Sequence, residues 1–172
     1  WFAGCNFTPS SAINQLEMRQ AESFDPETIA RDAAGRATVR AVRLTEPLRL
    51  DGVLDEGAYE TVASIGDFIQ QLPDEGAPST ERTEAWVFFD ESNVYVSARL
   101  WDSAPEDQWV VNEMRRDSFQ LFNNEYFSAV FDTFYDRRNG IGFMVNPIGG
   151  FSDVEIADER PSNMDWNPIW EV

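Results

Sequence analysis

The stretch "EAWVFFDESNVYVSARLWD", residues 84–102, decides the fold class. It reads as two extended segments folded back on each other around residues 90–93, a four-residue polar turn. In the second segment Val94, Val96, Ala98 and Leu100 fall on one face, and Tyr95, Ser97, Arg99 and Trp101 on the other. That period of two belongs to a strand with one buried face. Working outward, "NEYFSAVFDTF" (124–134) and "IGFMVNPIGG" (141–150) repeat the pattern around an Arg-Arg-Asn-Gly corner, and "FSDVEIAD" and "NPIWEV" follow. Upstream, "ATVRAVRLT" (37–45) sets Val39, Ala41 and Arg43 against Arg40, Val42 and Leu44, as one strand would. Many short strands and little helix predict an all-β chain, an antiparallel β-sandwich of immunoglobulin or jelly-roll type.

Residues 1–36 have a different texture. They carry few β-branched residues and one helical stretch, residues 11–22, where Ile13, Leu16 and Met18 form a short apolar stripe. A helix of that length is marginal alone, and the Pro, Gly and Ala of "FDPETIARDAAGR" read as a linker. The expected division is an extended or partly helical arm over 1–36 and a sandwich domain over 37–172.

Composition excludes several function classes. Of 172 residues 31 are acidic and 13 basic, a net charge of −18, which repels nucleic acid phosphates and anionic lipid. The basic residues are all Arg and there is no His, which removes histidine bases, Ser-His triads and His-bound metals. The single Cys cannot close an internal disulfide, and no apolar run reaches the ~20 residues of a transmembrane helix. Trp1-Phe2-Ala3-Gly4-Cys5 resembles the end of a bacterial lipoprotein signal, which implies a lipid on Cys5; the alternative is an ordinary thiol.

Carboxylates and aromatic rings are the remaining chemical resources. Calcium binds six to eight oxygens, and Asp102, Asp132, Asp136, Asp153, Asp158 and Asp165 are candidate ligands for a structural ion, though none lies in an Asp-x-Asp-x-Asp-Gly loop. Carboxylate-dependent hydrolysis would require a spaced pair, which no motif marks. Trp86, Phe88, Phe127, Phe131 and Phe143 alternate within strands and are assigned to the core. Trp101, Trp109, Trp166 and Trp170 fall at strand ends or in loops, where a flat ring stacks on a sugar, anchors an interface or covers the core. Arg137 and Arg138 are a cationic pair at the corner, suited to a partner's carboxylate or phosphate. Asn139-Gly140 is expected to supply the positive φ of that turn.

"LRLDGVLDEGAYETV" (48–62), residues 67–103, "NEYFSAVFDTFYDRRNGIGFMVNPIGG" (124–150) and "DWNPIWEV" (165–172) resemble, in order, the domain similar to family 9 carbohydrate-binding modules that precedes an outer-membrane β-barrel in bacterial envelope proteins. The resemblance runs over about residues 40–172 and implies a non-catalytic sandwich, often with structural calcium, outside the cytoplasm. Sugar-binding members hold their ligand between two rings, here one of Trp101 or Trp109 and one of Trp166 or Trp170. Relatives continue into further strands beyond the point matching Val172, so the edge left open is expected to be covered either by a partner or by further strands of the same protein. The leading expectation is a docking subunit in the periplasm or at the outer-membrane periphery, packed on a larger membrane protein assembly. A glycan-binding module is the alternative, and a hydrolase ranks last.

Overall fold

The computed structural model describes residues 29–31 and 37–172. Cys5 and nearly all of the arm therefore lie outside the described residues. The fold is all-β, and the described residues form three small sheets. Strands β1 (Ile29–Arg31) and β2 (Ala37–Val39) pair antiparallel. Strands β3 (Val42–Arg43), β4 (Thr83–Phe89) and β5 (Val94–Leu100) form the second sheet. Strands β6 (Phe127–Phe131), β7 (Gly140–Val145), β8 (Phe151–Ala157) and β9 (Arg160–Asn163) form the third, a meander in which each strand pairs with the next. Among the described residues no helix is long and apolar enough to cross a membrane.

The hairpin β4–β5 forms where the sequence placed it, but β5 lacks the expected buried face: Val94 is 51% and Leu100 54% exposed. Glu84 to Phe89 pair in register with Arg99 to Val94, and the turn closes on Asp90, whose carboxylate accepts the N–H groups of Ser92 (2.7 Å) and Asn93 (2.8 Å) and the Tyr95 hydroxyl (2.7 Å). These donors, the Ser92 N–H foremost, hold the Asp90 carboxyl well below the usual carboxylate range. On the face carrying Trp86 and Phe88 lies a one-turn helix, α1 (Gly57–Thr61), delivered by the turn 51–53 in which Asp51 accepts the Val53 N–H and Gly52 takes φ 76°. The helix lays Tyr59 edge-on to Trp86 (5.3 Å) and Phe88 (5.5 Å) and bonds its hydroxyl to Ser97 (2.8 Å). Trp86 donates its indole N–H to the Val62 carbonyl at 3.0 Å. Burial raises the Tyr59 hydroxyl pKa, helped by the nearby Glu56 and Asp51 carboxylates and opposed by the Ser97 hydrogen bond.

Two expectations about strand organisation change. Residues 37–45 form two strands rather than one: β2 turns to β1, whereas β3 pairs parallel with β4. Alternation alone could not show the break at residues 40–41. The β1–β2 pairing also crosses the 36/37 division made from composition. At the corner after β6, the positive φ values belong to Tyr135 (56°) and Arg137 (61°), not to Asn139 or Gly140. Asp132 accepts the N–H groups of Asp136 (3.1 Å) and Arg137 (2.7 Å), and Asp136 those of Arg138 and Asn139 (2.8 Å each), so two carboxylates impose the bend. Gly140 is needed for close approach instead: a Cβ there would lie 2.5 Å from the Phe131 carbonyl oxygen across the strands.

Among the described residues the buried side chains include Ile65, Ala85, Trp86 and Phe88 around the second sheet, and Leu121, Met144, Glu113, Asn124, Asn146, Ser152 and Asp153 around the third, where Ser152 and Asp153 face opposite sides of β8. Phe127, Phe131 and Phe143, assigned to the core from sequence, are half-buried. The second and third sheets thus each have buried side chains of their own, and the all-β class stands apart from the question of how the sheets stack.

Candidate functional site

A cleft of about 410 Å³ opens where the end of β5 meets the start of β6. Its size is that of a small-ligand site. Trp101, Trp109, Tyr126 and Phe127 supply its rings, and Glu81, Asp102 and Glu125 its carboxylates. Trp101 continues β5, fixed by its N–H on the Arg82 carbonyl (3.0 Å). The chain then makes a short self-bonded loop: Asp102 accepts the Ala104 N–H (2.7 Å), a 3₁₀ turn spans Glu106–Gln108, and Trp109 donates its indole N–H to the Ala104 carbonyl (3.2 Å). This loop brings the second tryptophan back to the first. The Arg82 guanidinium lies over Trp101, 4.3 Å from the ring centre, and the Arg99 guanidinium stands 6.0 Å from it.

The far wall is fixed by a polar knot. Asn146, 3% exposed, donates to the Glu113 carbonyl (2.7 Å) and accepts the N–H groups of Ile148 (3.2 Å) and Gly150 (2.7 Å). Asn124 accepts from the N–H groups of Asn112 (2.7 Å) and Glu113 (3.1 Å). The Glu113 carboxylate receives the Arg115 guanidinium (2.7 Å) and the Ser118 hydroxyl (2.7 Å), and these bonds, Arg115 first, hold it well below the usual range. Gly150 packs so closely that a Cβ would stand 2.4 Å from the Glu113 oxygen. The Val-Asn-Pro-x-Gly motif therefore ties the segment before β6 to the end of β7, and Asn146 and Pro147 themselves line the cleft.

Trp166 and Trp170 are elsewhere. Trp170 stands edge-on to Phe143 (4.9 Å) and Phe151 (5.2 Å), and Trp166 lies 6.2 Å from Phe143, so both cover the third sheet. The structure brings Trp101 together with Trp109, not either of them with Trp166 or Trp170. Tyr126 was not singled out from sequence, although its place beside Phe127 carries a signal: neighbouring strand residues face opposite ways, so one of two adjacent rings points outward.

The six aspartates offered for calcium do not converge on one site. Asp132 and Asp136 share the corner, with oxygens turned to backbone N–H groups. Asp102 caps its loop. Asp153 is fully buried, where Oδ2 receives Arg116 (2.7 Å) and the Trp170 indole (3.0 Å) while Oδ1 has no hydrogen-bond partner. Asp158 pairs with Arg138, and Asp165 donates its N–H to Asn163. Among the described residues no group of three or more His, Cys, Asp or Glu is placed to hold a metal ion. The two corner arginines also separate: Arg138 pairs with Asp158 at 2.7 Å, while Arg137 is held by its backbone N–H on Asp132. Beside them Phe134 is 75% and Tyr135 64% exposed. Compared with known proteins, the chain matches no family model, no curated protein and no solved structure.

Proposed function

We propose that the chain is a non-catalytic binding module that takes a glycan in the cleft between β5 and β6. The observation that carries this reading is the convergence of Trp101, Trp109 and Tyr126 on one cleft whose charged lining is Glu81, Asp102 and Glu125. Rings present flat apolar faces to the C–H faces of a sugar, and carboxylates accept its hydroxyls. The resemblance to family 9 modules points the same way, and so does the extracytoplasmic setting that it implies. A broad saccharide array followed by calorimetry, with and without calcium, tests the proposal. Trp101→Ala and Trp109→Ala should each weaken binding by about 2 kcal/mol, roughly thirtyfold; silence across the array would sink it.

The corner favours a second role, docking on a larger membrane protein assembly. Phe134 and Tyr135 project at its tip next to Arg137, and two non-glycine residues there hold positive φ. Mild detergent extraction of native membranes followed by native-state mass spectrometry separates the outcomes. Fixed stoichiometry with an integral membrane complex supports docking, and release as a lone chain defeats it.

A further inference from the structure

Next to the cleft, the 3₁₀ segment Phe119–Asn123 buries Leu121 and displays two phenyl rings. Leu121 is fully buried, whereas Phe119 is 71% and Phe122 44% exposed. Ser118 caps the segment by accepting the Gln120 N–H at 3.2 Å, and the Asn124 side chain donates to the Gln120 carbonyl at 3.0 Å, so the two phenyl rings stand on a pinned support. The rings form a row. Phe119 and Phe122 lie 6.4 Å apart with planes tilted by 31°, and Phe122 lies 6.4 Å from Tyr126, which is itself 43% exposed and lines the cleft. A fold gains by covering phenyl rings, and exposed contiguous apolar surface marks a place where something else binds.

We infer that this row is an extension of the cleft, and that the ligand is an extended oligosaccharide chain running from Trp101 and Trp109 over Tyr126 to Phe122 and Phe119. The inference rests on the glycan reading of the cleft and adds to it that the protein grips several consecutive sugar units rather than a chain end. Continuity decides the occupant: Tyr126 belongs to both the cleft and the row, so a ligand leaving the cleft on that side meets Phe122 next. The steps between rings are of the order of one sugar ring; Phe119 and Phe122, tilted by only 31°, offer two neighbouring stacking faces, and Tyr126, edge-on to Phe122 at 79°, marks the bend where the chain leaves the cleft.

The test is calorimetry with β-1,4-linked glucose and N-acetylglucosamine oligomers of two to six units, on the wild-type chain and on the Phe119→Ser, Phe122→Ser double variant. Wild-type affinity should rise with length, by roughly threefold to tenfold for each ring engaged. The double variant should bind the disaccharide as the wild type does and lose the dependence on length. Both rings are exposed, so an unchanged thermal transition is expected and serves as the check on folding. Equal affinity for all lengths, or a disaccharide affinity that falls with the long ones, overturns the inference while leaving the cleft reading intact. Loss of a wild-type dimer in the double variant, seen by size exclusion, also overturns it, because a second copy of the chain would then own the row. Absence of binding at every length removes the cleft reading and this extension together.

Discussion

Around β4 the enclosed side chains are Ile65, Ala85, Trp86 and Phe88, whereas around β7 and β8 most of them are polar: Glu113, Asn124, Asn146, Ser152 and Asp153 beside Leu121 and Met144. The first interior is apolar packing with two polar tethers, the Tyr59–Ser97 and Trp86–Val62 hydrogen bonds. Such packing depends on volume and tolerates substitutions that conserve it. The second is a directed network, in which each group needs its partner at a set distance and a missing partner leaves a buried polar atom unsatisfied. The difference matches location. The apolar interior holds one hairpin flat, and the polar one aligns three separate segments, 112–118, 120–124 and 146–150, beside the cleft.

The largest expected effect falls on the apolar side. Phe88 is fully buried against Tyr59, and Phe88→Ala should lower unfolding free energy by about 3–5 kcal/mol through lost transfer energy and the cavity left behind. Urea unfolding measures it. A loss under about 1 kcal/mol would show that β4–β5 has no core of its own and would break the contrast at its base.

Next comes Asn146→Ala, expected to cost about 2 kcal/mol, because it leaves the Glu113 carbonyl and the Gly150 N–H without their partner in a buried place. The same denaturation series reads it, and the variant should also weaken ligand binding, since Asn146 lines the cleft. Asn146→Ala with wild-type stability would mean that water replaces the knot, and the two interiors would differ less than they look.

The two interiors were also unequally legible. The β4–β5 and β6–β7 hairpins follow from alternation because neighbours in the strand decide the pattern, and Trp86 and Phe88 were placed correctly by it. The knot has no period. Glu113 and Asn146 are 33 positions apart, and an Asn in sequence reads equally well as a turn residue or a buried tie. The cleft was half legible: position at strand ends singled out Trp101 and Trp109, but only the loop 102–109 brings them together, and the same argument applied to Trp166 and Trp170 picked out covers for Phe143 and Phe151. The parallel β3–β4 pairing was hidden because a two-residue strand carries no alternation to read.

The smallest effect concerns ion pairs, and it sharpens the same contrast. Arg116–Asp153 and Arg138–Asp158 both close at 2.7 Å, yet Asp153 is fully buried while the side chains of Arg138 and Asp158 are 61% and 78% exposed. Geometry alone would rate them equal. Water and salt screen the exposed pair, and ordering two side chains offsets most of its attraction. Two hydrogen bonds remain at that corner without it, the Glu159 N–H on the Arg138 carbonyl (2.8 Å) and the Asp158 N–H on the Asn139 side-chain Oδ1 (3.3 Å). Arg138→Ala should therefore change stability by less than about 1 kcal/mol, and a double-mutant cycle with Asp158→Ala should return a coupling of at most ~0.5 kcal/mol that falls as salt is added. A coupling several times larger would mean that the corner is as tightly determined as the knot, and that its two positive-φ residues are held by the ion pair rather than by Asp132 and Asp136.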